Sequence, residues 1–441
     1  MITGKRGGNK SPINTHATFH VHKMTHPKAL ENMKAKTLSA LQGCTVKERW
    51  PVFSSYTGYV SKLADEAVKQ RKEWLTSSNV YSIFLSEVTS ALATRFPEDA
   101  GLEGSLPDLL GANSIASLAE KIVSIILSVP RAYTFYFPLP NVEISIEGQL
   151  QLGEGISLRK FGENEDIPGG TAGGLLGLGK YLARNKSYLC VDEVGFTSGD
   201  NDDIAFSHAL SKFKVITHLL LLRGTFSERT ISPILLYGLG GRSHYVPNLV
   251  ATIFDTERAN EVHATALLPI GISRQTDKLC LNTENKTFQK AESLGHDAVA
   301  VYLQSMSNQA VLLLNHKGPS SVPIRSAIEW AYEASTTDND TIAFLQVCIG
   351  LEAILGDETT SESISATLAD RCAYLLGNDI QGRQTIRENF KELYKRRSKL
   401  AHGRAIRLEP DEWVYFNWGK SILNHLIMKE MKHLNLGKVS D

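Results

Sequence analysis

The sequence predicts an α+β chain: a mixed helical and β-containing N-terminal region over residues 1–320, followed by an all-helical bundle over 321–441. Three observations predict it. Apolar residues recur at helical spacing up to Pro130, and at every second position just after it. Glycine and proline crowd together at Gly318, Pro319 and Pro323, as at a boundary, and everything beyond them has helical period. A chain of 441 residues also exceeds one ordinary core, so two or three domains are expected.

Residues 1–30 are polar, and weak order is expected there. The N-terminal region divides into a helical part, 40–130, and a β-containing part, 131–320. In Asn113–Val129, the residues Ile115, Leu118, Ile122, Ile125, Ile126 and Val129 make one stripe, and Pro130 ends the helix. Tyr133, Phe135 and Phe137 alternate, as do Val142, Ile144 and Ile146, which predicts two strands. Residues 149–160 add a further strand, and Tyr188–Val194 another. Ile204–Leu222 reads as a helix behind the turn Gly199–Asp203, whose aspartates suit a helix N-terminus. Residues 225–316 mix short apolar runs with turns and yield no topology. The bundle resolves into helices over about 324–335, 338–355, 361–376, 383–402 and 410–434. Gly356, Gly377 and Gly403 each follow a helical run, where a left-handed cap favours glycine. Pro410, Asp411 and Glu412 mark the last helix start.

Composition excludes several classes. With 47 basic and 47 acidic residues the chain is formally neutral, so it is no uniformly basic nucleic-acid coat. Normal apolar and charged fractions exclude global disorder. The five cysteines (Cys44, Cys190, Cys280, Cys348 and Cys372) are scattered, which argues against a disulfide framework and a cysteine zinc site and fits a reducing cytoplasm. No apolar run follows the basic N-terminus, so no secretory signal is expected. Ile115–Val129 carries Glu120 and Lys121, and Val215–Leu222 is too short, so no membrane association is expected.

No cofactor or metal is expected either. His16, His20, His22 and His26 have no acidic or cysteine companions, and Asp200, Asp202 and Asp203 lack the order of a calcium loop. Gly174–Lys180 approaches a phosphate-binding loop, but Tyr181 replaces its Ser or Thr and the glycine-rich stretch Pro168–Gly179 supplies no leading strand. His218, on an apolar helix, reads as a core residue. Trp413, Tyr415, Phe416 and Trp418 could stack on bases, although core packing or a dimer seam explains them better.

The informative charges lie on apolar helix faces. Arg397 falls in the middle of the face made by Ile386, Phe390, Leu393, Tyr394 and Leu400, while Arg396 points away from it. Arg371 lies on the face of Leu368, Cys372 and Leu375, and Glu352 falls between Leu345, Cys348 and Ile349. Unpaired charges there would be costly, so a network of Glu352 with Arg371, Arg397 or both is expected. His402 follows at the end of the helix, whose partial negative charge favours imidazolium. From Arg383 to Arg407 there are nine basic residues against two acidic, a patch that would attract a polyanion.

Three segments in order then resemble one family. Gly-Leu-Glu-Ala-Ile-Leu at 350–355, Ala-Asp-Arg-Cys-Ala-Tyr-Leu-Leu-Gly at 369–377 and Leu-Tyr-Lys-Arg-Arg-Ser-Lys-Leu-Ala-His-Gly at 393–403 resemble the Apea-like group of HEPN domains. The resemblance covers about residues 324–434. It implies an all-helical bundle, commonly dimeric, that cleaves RNA without a metal. Its arginine and histidine match Arg397 and His402, and its polar residue after the arginine matches Ser398. Glu352, Arg371 and Tyr394 would support this pair, while Arg396, Lys399 and Arg404 would contact RNA. Many such proteins act in antiphage defence by abortive infection or as toxins, so an RNA substrate, a homodimer and a phage-derived trigger or antitoxin are expected partners. Two other functions stay open: a catalytically silent bundle for dimerisation or nucleic-acid binding, and a hydrolase or nucleotide-dependent enzyme centred on residues 130–260.

Overall fold

The structure, a computed structural model, describes residues 26–97, 100–146, 148–163, 165, 167, 182–229, 248–258, 261–356 and 364–434. The stretch Pro168–Gly179, the segment Gly174–Lys180 with Tyr181, and His16, His20 and His22 lie outside the described residues. Two units divide the chain. The first comprises residues 1–70 and 84–127, the second residues 71–83 and 128–441. The fold is mixed α+β with a helical C-terminal region.

In the first unit are the helices α1 (Pro27–Gln42), α2 (Phe53–Arg71), α3 (Ser77–Arg95, its first residues belonging to the second unit), α4 (Leu106–Leu110) and α5 (Ala112–Leu127). A small antiparallel sheet joins β1 (Thr45–Lys47) to β2 (Trp50–Pro51) and β3 (Glu103–Ser105). The expected α5 stripe is buried at Ile115, Leu118, Ile122 and Ile126, and α5 packs on α1. His26 precedes α1, where its Nδ1 accepts from the backbone of Lys28 at 3.2 Å.

The second unit is built on an antiparallel sheet in the order β10-β9-β4-β7-β6-β5. These are β4 (Arg131–Leu139), β5 (Gly148–Gly153), β6 (Ile156–Lys160), β7 (Ser187–Gly195), β9 (Val250–Asp255) and β10 (Val262–Leu267). A separate pair joins β8 (Phe226–Glu228) to β11 (Leu279–Leu281). Alternation along β4 buries Tyr133, Phe135, Phe137 and Leu139 on one face. There Phe137 meets Phe213 of α6 (Ile204–Leu222), with ring centroids 4.8 Å apart. The opposite face has a smaller cluster of Phe161, Tyr188 and Phe254 around Tyr136.

Three local expectations need correction. Val142 and Ile144 are buried but form no strand. Lys160 donates to the Ile144 carbonyl at 2.8 Å, taking a backbone group that a ladder would use, and the neighbouring Asn141 side chain donates to the Asp277 carbonyl. Residues 149–160 form a hairpin, β5 and β6, rather than one strand, because Gly155 turns the chain in the left-handed region. Asp203 occupies the N-cap position of α6, yet its carboxylate binds the preceding loop instead of the helix. It accepts from the backbone of Ser198 (2.6 Å) and Asp200 (3.2 Å), from the hydroxyls of Thr197 and Ser198, and from the Asn79 amide.

Between sheet and C-terminus come α7 (Ile270–Lys278), α8 (Lys286–Leu294), α9 (His296–Asn315), α10 (Ser321–Thr336), α11 (Asp340–Leu355), α12 (Ile364–Leu376), α13 (Ile380–Ala401) and α14 (Trp413–His433). All five C-terminal helices of the sequence reading are present. The punctuation at 318–323 lies inside the second unit, and one cluster of buried residues runs unbroken from Tyr133 to Met431. Helix α10 joins the halves, packing on α6 as well as on α11 and α14. The helices of the bundle approach closely: a Cβ on Gly350 would lie 2.8 Å from Leu423, and one on Gly419 2.7 Å from Leu393.

His218 is a buried residue of this shared core, facing Asn424 Oδ1 at 3.3 Å. Burial lowers its pKa to about 4 from the usual 6.5. The unfolded chain therefore takes up a proton between those values while the folded chain does not. Stability is full above pH 6.5 and falls as pH drops toward 4. Denaturant midpoints should show a loss of about 2 kcal/mol from pH 6.5 to 5, and His218→Gln should flatten that slope. An unchanged slope in the variant would assign the acid sensitivity elsewhere.

Among the described residues no helix is long and apolar enough to cross a membrane. Cys44, Cys190, Cys348 and Cys372 are buried free thiols, and Cys280 is a half-buried one. Burial pushes Cys44 and Cys372 up to about 12, which keeps them protonated and unreactive.

Candidate functional site at the end of helix α13

Helix α13 begins at Asp379, whose Oδ1 accepts from the backbone of Gly382 at 2.6 Å. Phe390, Leu393 and Tyr394 bury its inner face. At its far end the chain closes with a complete Schellman motif. Gly403 donates to Leu400 at 3.2 Å, Arg404 donates to Lys399 at 2.8 Å, and Gly403 adopts φ of 66°. Of the three expected glycine caps only Gly403 is left-handed. Gly356 is extended (φ −69°), and Gly356 and Gly377 serve by their small size: a Cβ would meet Glu352 O at 2.4 Å in the first and Ala373 O at 2.7 Å in the second. Gly403→Ala should cost about 1 kcal/mol, measurable by urea unfolding. No atom lies within 4 Å of the new methyl, so the loss would come from backbone conformation alone.

Arg397 and Glu352 meet, as the inward-face reasoning anticipates. Arg397 Nη2 lies 3.1 Å from Glu352 Oε1, with the two side chains 33% and 30% exposed. Tyr394 donates its hydroxyl to the same oxygen at 3.2 Å and stacks on Phe390, centroids 4.9 Å apart. Burial and then the Glu352 charge raise the Tyr394 phenol well above its ordinary value, so it remains a donor. Beneath the pair, burial likewise raises the Cys348 thiol. Arg371 takes a different role, donating to the Leu355 carbonyl at 2.6 Å and holding the C-terminal end of α11.

Arg396 departs most from expectation. It points off the apolar face, but not into solvent: its side chain is only 16% exposed, against 33% for Arg397. Nη1 lies 2.7 Å from Glu392 Oε2 and donates to the Glu392 carbonyl at 2.8 Å. Nε lies 3.4 Å from Glu412 Oε1, without hydrogen-bond geometry. The guanidinium sits over the Tyr415 ring, 3.9 Å from its centroid. Sequence reasoning missed Glu412 and Tyr415, though the i,i+4 spacing of Glu392 and Arg396 was a visible signal.

His402, Ser398, Lys399 and Arg404 are exposed at this helix end. His402 is the C-cap and, among the described residues, its ring makes no hydrogen bond or ion pair. The free positive charge is smaller than the local count suggests, because carboxylates converge from outside the segment. Arg387 pairs with Asp370 at 2.5 Å, Arg397 with Glu352, Arg396 with Glu412, and Arg407 with Glu409 at 3.5 Å. Within the segment, Lys395 lies 3.8 Å from Glu392. Lys391, Lys399 and Arg404 stand exposed with no ion pair among the described residues.

The four aromatic residues of α14 divide. Phe416 packs against Phe344 and Trp418 against Phe390, Tyr415 carries Arg396, and Trp413 remains 43% exposed. Among the described residues no group of three or more His, Cys, Asp or Glu side chains is placed to hold a metal ion. The chain has no match among protein-family models, curated proteins or solved structures.

Proposed function

We propose that the C-terminal bundle is a HEPN-like, metal-independent endoribonuclease, acting as a cytoplasmic antiphage effector, with His402 and Arg397 at its centre. The observation that carries the reading is the contrast at one helix end. Arg397 is oriented by Glu352 and Tyr394, while His402 caps the same helix exposed and unengaged.

RNA brings its own nucleophile. A base removes the proton of the 2′-hydroxyl, its oxygen attacks phosphorus, and the bond to the 5′-oxygen breaks as an acid protonates it. The products are a 2′,3′-cyclic phosphate and a 5′-hydroxyl. Imidazole exchanges protons near neutral pH and serves either proton transfer. A guanidinium stabilises the charge that develops on the phosphorane. Ser398 is close in sequence for orienting the phosphate, and Lys399 and Arg404 supply charge along the strand.

One histidine is few for two proton transfers. On an ideal helix, positions five apart lie about 140° around the axis and about 7.5 Å along it. Arg397 and His402 therefore leave α13 on different sides, and a two-fold dimer would bring two of each into one cleft. A phage-derived trigger or an antitoxin would then act by exposing or covering that cleft.

The test is labelled RNA incubated with the purified full chain in EDTA. Products ending in cyclic phosphate, and resistance of a strand with a 2′-deoxy position at the cleaved bond, support the reading. Equal cleavage of DNA, or activity lost with EDTA, would overturn it. A second reading is a silent bundle that dimerises or binds nucleic acid, favoured by the Glu352 carboxylate that offsets the Arg397 charge. RNA binding without cleavage would select it.

A further inference from the structure

We propose that Arg396 is a positioning residue rather than an RNA contact: by gripping Glu412 and lying on Tyr415, it fixes the loop that presents His402. The inference rests on the functional reading above for what the loop does, but not for the clamp itself.

The loop from Gly403 to Arg407 is held at both ends. The Schellman motif fastens its start to the last turn of α13. Near its end Leu408 is buried and donates its N–H to Thr341 Oγ1 at 2.8 Å. Directly behind, Glu409 donates its N–H to Glu412 Oε2 at 3.2 Å, in a 3₁₀ turn of Pro410–Glu412 that leads into α14. Glu412 is thus shared: one oxygen secures the turn, and the other faces Arg396. Its side chain is largely buried, so the pair is less screened than a surface one. Arg396 also spans to Glu392 on its own helix and covers Tyr415 on α14. One planar cation therefore ties the end of α13 to the start of α14. The intervening arch exposes His402, Arg404, Ile406 and Arg407. A guanidinium only 16% exposed, with its plane on Tyr415, offers little surface to phosphate, whereas loosening it would free the arch without removing any group proposed to touch RNA.

The test uses the full chain with Arg396→Gln, Arg396→Lys and, from the other side of the contact, Glu412→Gln. The first readout is brief trypsin digestion under native conditions, with cuts after Arg404 and Arg407 located by mass spectrometry. Arg396→Gln and Glu412→Gln should raise those cuts about 10-fold, as expected when a local contact holding a loop is lost. The second readout is RNA cleavage: kcat should fall about 10-fold with KM within about 2-fold, the mark of a displaced catalytic group rather than lost binding. Arg396→Lys should recover part of both, since an ammonium keeps an ion pair but not the stacked plane. Unchanged loop proteolysis in both Arg396→Gln and Glu412→Gln would overturn the clamp. A raised KM with kcat preserved would return Arg396 to the RNA surface and overturn the proposal as well. Proteolysis does not depend on nuclease activity, so an inactive parent protein would count against the ribonuclease reading alone.

Discussion

His402→Ala is expected to lower metal-independent RNA cleavage about 10²- to 10⁴-fold, the range for loss of a general acid or base. The fold should be untouched. His402 is exposed, and among the described residues its ring has no partner to lose. Its backbone N–H, which donates to Ser398 at 3.1 Å, is kept by alanine. The unfolding midpoint should therefore move by no more than about 2 °C, as for an isolated surface substitution. Arg397→Ala should act through the same step and leave Glu352 and Tyr394 without their cation. With both charges about one-third exposed, that ion pair contributes at most about 1 kcal/mol. Sharing across a dimer can then be read directly: subunits carrying Arg397→Ala and subunits carrying His402→Ala are mixed, and activity is compared with each alone. Mixed dimers hold one Arg397 and one His402 between them, so activity above that of either variant alone, but below the native protein's for want of the second histidine, is the signature of a composite cleft. A mixture that behaves as two independent halves would argue against strict sharing.

The largest stability effect is expected at Asp203→Ala, about 3–5 kcal/mol by urea unfolding followed by circular dichroism. Asp203 is 2% exposed and is the hub on which the loop before α6 closes. Removing the carboxylate leaves the Ser198 and Asp200 amides and the Thr197 and Ser198 hydroxyls without their acceptor, and releases the Asn79 amide at the start of α3. Buried donors left unsatisfied are each costly. Asp203→Asn should recover little, because an amide turns a donor toward donors. A loss below about 1 kcal/mol would show that the loop closes by packing alone.

Much of the fold is legible wherever burial follows a simple period. Strand β4 and helix α5 bury residues at regular spacing, helix α6 is apolar enough to be buried nearly all round in its second half, and their ends follow Pro130 and the acidic turn. Legibility fails where the same alternation arises without a ladder, as at Val142 and Ile144, where a lysine of β6 takes the Ile144 carbonyl and the Asn141 side chain anchors the segment to Asp277. It fails again at Asp203, because whether an aspartate caps the helix ahead or the loop behind depends on loop geometry that no spacing encodes.

The site divides in the same way. The Arg397–Glu352 contact follows from asking which charges point inward. The fate of Arg396 does not, since its partners Glu412 and Tyr415 arrive from another helix across an irregular loop. The positive patch shows the limit of counting along a chain: a run of cations is basic only if no acids fold onto it, and here Glu352, Asp370, Glu409 and Glu412 do.

The unbroken core beneath sheet and bundle has a consequence for descent. Helix α10 pairs Glu329 with Ser211 and Glu333 with Lys214 on one flank, and packs against α11 on the other. A genetic rearrangement that moved the bundle alone would strip α10 of a matching surface and uncover one flank of α6. The C-terminal helices are therefore no interchangeable cassette. Relatives that keep this bundle should therefore keep a counterpart of α6 to cover α10, even where the rest of the N-terminal region has diverged.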